Sequence, residues 1–95
     1  MIISHLSIAP VGKYVSLSRY VKKVINVLKE NNITFKTNDM ATVIETGDLE
    51  TLFNVVEKAH NAITESGAQR VITELKIDDR RDKNVTMGTK IKSLQ

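Results

Sequence analysis

The chain contains no cysteine. That excludes disulfides, thiolate zinc sites and cysteine-based chemistry. Glycine-rich phosphate loops are missing too, since neither G-x-x-x-x-G-K nor G-x-G-x-x-G occurs. Aromatic residues are few, two Tyr and two Phe. None falls in Ile2–Ala9 or Arg70–Asp78, the segments read below as the first and last strands, so neither offers the aromatic platform on which RNA-binding modules stack bases. No apolar run approaches the ~20 residues that cross a bilayer. The N-terminal segment lacks a basic leader and is interrupted by Ser4, His5 and Ser7, so it reads as a strand rather than a signal peptide. The expected location is the cytoplasm.

Charge of one sign is also scarce. Lys and Arg number 14 against 11 Asp and Glu, and the signs are interspersed with no basic stripe. Nucleic acid is therefore not an expected partner. The two histidines, His5 and His60, form no H-E-x-x-H motif, and no metal ligand or catalytic residue is assigned. Ninety-five residues make one domain spanning 1–95, whose limited core favours association with copies of itself.

What is present is a set of alternating and helical periodicities. In Arg70–Asp78, Val71, Thr73, Leu75 and Ile77 fall on one side, with Arg70, Glu74, Lys76 and Asp78 mainly on the other. Period two marks a half-buried strand; Ile72 breaks it by putting an apolar group on the polar side. The first strand is read as Ile2–Ala9, with Ile2, Leu6 and Ile8 alternating against Ile3, His5 and Ser7, and Pro10 ends it. Ser16 or Ser18 caps a helix whose apolar face is Val21, Val24, Ile25 and Leu28. Asn31 and Asn32 terminate it. Ile33–Thr37 and Met40–Glu45 read as two strands joined by an Asn38-Asp39 turn. Asp48 caps a second helix, with Glu50 in its first turn and Leu49, Leu52, Phe53, Val56, Ala59 and Ile63 as its stripe, until Ser66-Gly67 stops it. Thr89–Leu94 reads as either a short helix or an added edge strand.

The order is βαββαβ plus a tail, an α+β ferredoxin-like sandwich with a four-stranded antiparallel sheet. Right-handed crossovers put both helices on one sheet face. The other face is expected to be bare, to carry Ile72 and apolar residues of the first strand, and to be covered by another subunit.

Two groups of residues could carry function. Thr37, Asn38, Thr42 and Glu45 cluster on or beside the hairpin; by residue type alone they read as ordinary edge-strand polarity. The charged run Asp78–Lys83 reads either as a solvated loop with local ion pairs, or as intersubunit salt bridges and an anion clamp by Arg80 and Arg81. An acylphosphatase-like activity on this fold needs an arginine after the first strand, and Pro10-Val11-Gly12-Lys13-Tyr14 has none.

Three stretches taken together, Ser7-Ile8-Ala9-Pro10-Val11-Gly12, Met40-Ala41-Thr42-Val43-Ile44-Glu45 and Lys76-Ile77-Asp78-Asp79-Arg80-Arg81-Asp82-Lys83, resemble the small thiamine-binding protein family, the stand-alone relatives of YkoF-like domains. The resemblance implies ferredoxin-like subunits that pair into homodimers or homotetramers through their sheets. It implies thiamine, or its hydroxymethylpyrimidine half, as a bound ligand between subunits, with no catalytic cofactor and no enzymatic activity. The family commonly carries a small residue and proline where Asn38-Asp39 stand. Toward such a ligand Ser7, Asn38 and Thr42 would hydrogen-bond the pyrimidine, with Thr37 beside them. Met40 would pack on its face, and Glu45 would balance the thiazolium charge. Asp79, Arg80 and Arg81 would contact a second subunit or an anion. The alternative is a structural or regulatory module whose open sheet face binds another protein.

Overall fold

The computed structural model describes residues 1–12 and 17–95. The elements run β1 (Ile2–Pro10), α1 (Leu17–Glu30), β2 (Thr34–Thr37), β3 (Thr42–Thr46), α2 (Leu49–Glu65), β4 (Val71–Asp79) and α3 (Thr89–Ser93). The sheet order is β2-β3-β1-β4 and every pairing is antiparallel. This is the expected α+β sandwich.

Register divides the side chains between two faces. Pairs such as Leu6 with Leu75, Ser4 with Ile77 and Ser4 with Ile44 put the even positions of β1, the odd positions of β4, and Thr42, Ile44 and Thr46 toward the helices. Leu6, Leu28, Ile44, Leu52 and Ile63 are the largest fully buried side chains, each adding about 1.5–3 kcal/mol by leaving water. Ser4 and Thr46 are buried among them with hydroxyls that have no hydrogen-bond partner among the described residues. On the opposite face stand Ile3, His5, Ser7 and Ala9 of β1, Ile72, Glu74, Lys76 and Asp78 of β4, Val43 and Glu45 of β3, and Thr34 and Lys36 of β2. Ile72, 45% exposed, lies there as expected.

The helix ends follow their sequences. Asp48 accepts a 2.7 Å hydrogen bond from the Thr51 N–H, which also lowers its carboxyl pKa. Asn32 is left-handed, φ 56°. Its N–H donates to the Lys29 carbonyl while that of Ile33 donates to Leu28, the two bonds that close a helix with a left-handed residue. Gly67, φ 99°, ends α2. Ser18 lies inside α1 rather than capping it, and Ser16 falls outside the described residues.

Both helical faces are rotated from their expected positions. In α1 the buried residues are Tyr20, Val24 and Leu28 with Val27 packed beside them, whereas Val21 is exposed. In α2 Val55 is buried and Phe53 is half exposed. The cause is the same in each case. Apolar residues flank the stripe on both sides, and the side the sheet contacts decides which are covered.

The hairpin also departs from expectation, and the tail takes one of its two expected forms. The strands stop at Thr37 and resume at Thr42, so the connection is the four residues 38–41, with Met40 and Ala41 in the loop. The tail forms a helix, Thr89–Ser93, not an edge strand. Val85, Met87, Gly88 and Ile91 line one hollow with Ile3, Lys36, Val43 and Asp78 of the open face, and Val85 is buried. The Met1 ammonium donates to Asn84 Oδ1 at 3.1 Å. The face expected to be bare is thus partly covered by the chain's own end. Among the described residues no helix is long and apolar enough to cross a membrane.

Candidate functional site

The hairpin tip is built by one side chain. Asn38 Oδ1 accepts hydrogen bonds from the Met40 and Ala41 N–H groups at 2.9 and 3.0 Å, and the Asn38 N–H donates to the Ala41 carbonyl at 2.9 Å. An asparagine that satisfies its own turn in this way is the reason Asn favours such positions. The tip therefore holds Asp39 and Met40 outward; Met40 is 85% exposed. At the base of the loop, Thr37 Oγ1 and Thr42 Oγ1 are 3.3 Å apart, and Thr42 is buried.

The β1–β3 pairing ends at Leu6–Thr42. Beyond it β1 stays paired with β4 on one edge, while its other edge runs beside the hairpin tip rather than against β3, which opens a cleft. Its walls are Ser7 and Ile8 from β1, Val21 and Val24 from α1, and residues 37–42 from the hairpin. Its volume is about 130 Å³, below the ~300–1,000 Å³ of complete small-molecule sites. On the open-face side of the same tip lies a wide hollow lined by His5, Asn38, Asp39, Met40 and Val43. Asn38, Asp39 and Met40 belong to both.

Five of the residues singled out in the sequence, Ser7, Thr37, Asn38, Met40 and Thr42, thus surround one cleft. Glu45 does not line it. Glu45 sits on the open face, opposite Ile3 and Thr34. The carboxylate that does border the cleft is Asp39, which sequence reasoning treated only as a turn residue. The signal that could have found it is loop length: in a four-residue loop Asp39 stands at the tip, not at a strand end.

The charged run folds back on itself. Arg80 grips Asp82 through Nε, 3.0 Å from Oδ1, and through Nη2. Arg81 donates from Nε and Nη2 to Asp79 Oδ2 at 3.2 and 3.1 Å. The Arg80 hydrogen bond holds the Asp82 carboxyl down at about 2. Asp79, Arg80 and Arg81 border a shallow depression with Gly47 and Asp48. His60 Nδ1 lies 2.7 Å from Thr73 Oγ1 and ties α2 to β4. Among the described residues no group of three His, Cys, Asp or Glu could hold a metal.

The profile of the family described as "Thiamine-binding protein" matches residues 4–95. A UPF0045 protein of Methanocaldococcus jannaschii is 40% identical over 98% of this chain and 91% of its own; a crystal structure of that archaeal protein superposes with a TM-score of 0.88, covering 98% of this chain and 94% of that one. A UPF0045 protein of Methanothermobacter thermautotrophicus is 38% identical over 100% of this chain and 97% of its own. A Thermotoga maritima structure, described as a candidate thiamine biosynthesis/salvage protein, has a TM-score of 0.81 at 17% identity, covers 99% of this chain and 98% of that one, and so shares the fold.

Proposed function

Because the chain belongs to the thiamine-binding protein family, we propose that it is a non-catalytic binder of thiamine or of its hydroxymethylpyrimidine half, held at the hairpin cleft. The observation that carries this reading is the convergence of Ser7, Thr37, Asn38, Met40 and Thr42 on one cleft. The Thr42 hydroxyl supplies a donor and an acceptor for a flat aminopyrimidine from the helix side, Ser7 offers its hydroxyl from the open-face side of β1, and Asn38 stands at the rim. Met40 supplies a soft surface for its face.

The cleft of one chain is too small for the whole molecule, which supports a site completed by a second copy. The open sheet face, with Ile72 exposed beside Ala9, is the surface through which copies would pair. Asp79, Arg80 and Arg81 would take part at its margin. The cationic half of the ligand needs a carboxylate. Asp39 stands at the cleft, and Glu45 stands on the open face where a partner subunit would bring it into use. Mass spectrometry of small molecules released from freshly purified protein tests the reading. Thiamine or the pyrimidine among them supports it; an unrelated molecule released in stoichiometric amount rejects it.

A further inference from the structure

The chain's own end makes a second cavity on the open face, on the other side of the sheet from the hairpin cleft. Its floor is Val43 of β3 and Ile3 of β1, and its roof is Val85, Met87 and Ile91. The volume is about 400 Å³, within the range of small-molecule sites, about 300–1,000 Å³. The lining is mostly apolar, and Met87 adds a side chain that adapts to irregular shapes.

Two charges mark the ends. Lys36 on β2 pairs with Val43, and Asp78 on β4 pairs with Ile3. Because β2 and β4 are the outer strands of the four, the charges stand about 14 Å apart by three strand spacings. Asp78 already faces a cation, since its attraction contributes to raising the Arg80 pKa. Lys36 differs. Among the described residues the salt bridges are Arg80–Asp82 and Arg81–Asp79, and Glu45, one row away on the same face, makes none with Lys36. The cavity thus joins an apolar chamber to one uncompensated ammonium.

We propose that this cavity is a second binding site, for a small amphiphile with an apolar or aromatic body and one anionic group that pairs with Lys36. Asn38 lines both the cavity and the hairpin cleft, but Met40 lines only the cleft and Met87 only the cavity, so occupancy of the two is read separately.

The test uses the full chain and two probes of one shape, 1-anilinonaphthalene-8-sulfonate and its uncharged counterpart N-phenyl-1-naphthylamine. Fluorescence titration is expected to show saturable binding of one sulfonate per chain. Lys36→Glu is expected to weaken the sulfonate about tenfold or more, the scale of a lost charged hydrogen bond, and to leave the uncharged probe within about twofold. Lys36 is on an exposed edge strand, and Lys36→Gln, which keeps most of the side chain, reads the same loss if the first variant is poorly folded. Methyl-labelled methionine spectra are expected to shift at Met87 and not at Met40. Equal sulfonate affinity in wild type and both variants, or a shift at Met40 alone, overturns the proposal.

Discussion

Thr37 and Thr42 face each other across the base of the hairpin with their hydroxyl oxygens 3.3 Å apart, and only Thr42 is buried. The pair closes the loop that carries Asp39 and Met40 and makes one wall of the cleft. Removing the Thr37 hydroxyl leaves Thr42 without this partner. Thr37→Val is therefore expected to lower stability by about 1 kcal/mol in denaturant unfolding, with an unchanged slope. A gain in stability would show that the contact contributes nothing.

Asn38 replaces two loop hydrogen bonds that backbone groups would otherwise seek from water. Asn38→Ala is expected to speed amide exchange at Met40 and Ala41 and leave β1 and β4 protected. Uniform acceleration across the sheet would mean that the tip is not a separate local unit.

The two buried hydroxyls of Ser4 and Thr46 have no partner among the described residues, and an unpaired buried polar group opposes folding. Thr46→Val keeps the shape and removes the hydroxyl. It is expected to raise stability by up to about 1 kcal/mol, whereas Ile44→Ala, which opens a cavity at a fully buried site, is expected to lower it by about 2–5 kcal/mol. Thermal unfolding of both variants checks the contrast; a destabilised Thr46→Val would mean that its hydroxyl is satisfied in solution.

Asp82 sets an acid-side dependence. Its carboxyl pKa is depressed to about 2 by Arg80, below the ~3.9 of a free aspartate. A depressed folded-state value contributes stability above the unfolded value, and that contribution is lost as pH falls from about 4 through about 2. Asp82→Asn is expected to flatten the stability profile in this window, lowering stability slightly above it and leaving stability below about pH 2 unchanged. Both groups are at the surface, so the change is small; a profile that steepens would contradict the sign.

The open face is expected to be an interface between copies. Ile72→Asp, placing a charge on that face, is expected to shift the species seen by sedimentation toward the single chain. If wild type is already a single chain at micromolar concentration, sheet pairing is wrong.

Much of this architecture was legible in the sequence. The order of elements, Asp48 as a cap, Asn32 and Gly67 as stops and the alternation of β4 all follow from local rules that the tertiary structure leaves intact. The faces of α1 and α2 are less legible. Val21 and Phe53 look as apolar as Tyr20 and Val55, and only docking on the sheet chooses among them. The tail lacked any period, so its return across Ile3 and Val43 could not be foreseen. Met40 and Ala41 suit a strand, which makes the hairpin look like a two-residue turn. The bond from Asn38 to both of their N–H groups takes them out of the ladder, and with them Asp39 became visible at the cleft. Glu45 is close to the hairpin residues in sequence, but strand alternation sends it to the other face.

The most direct test of the account is calorimetric titration of thiamine and of hydroxymethylpyrimidine into wild type, Thr42→Val and Glu45→Gln, with unfolding midpoints measured alongside. Saturable binding of both ligands to wild type is expected. Thr42→Val is expected to weaken both by about tenfold, the scale of one hydrogen bond to a bound ligand, while Glu45→Gln weakens thiamine alone. No saturable heat with wild type, or the same affinity for wild type and a folded Thr42→Val, would contradict it.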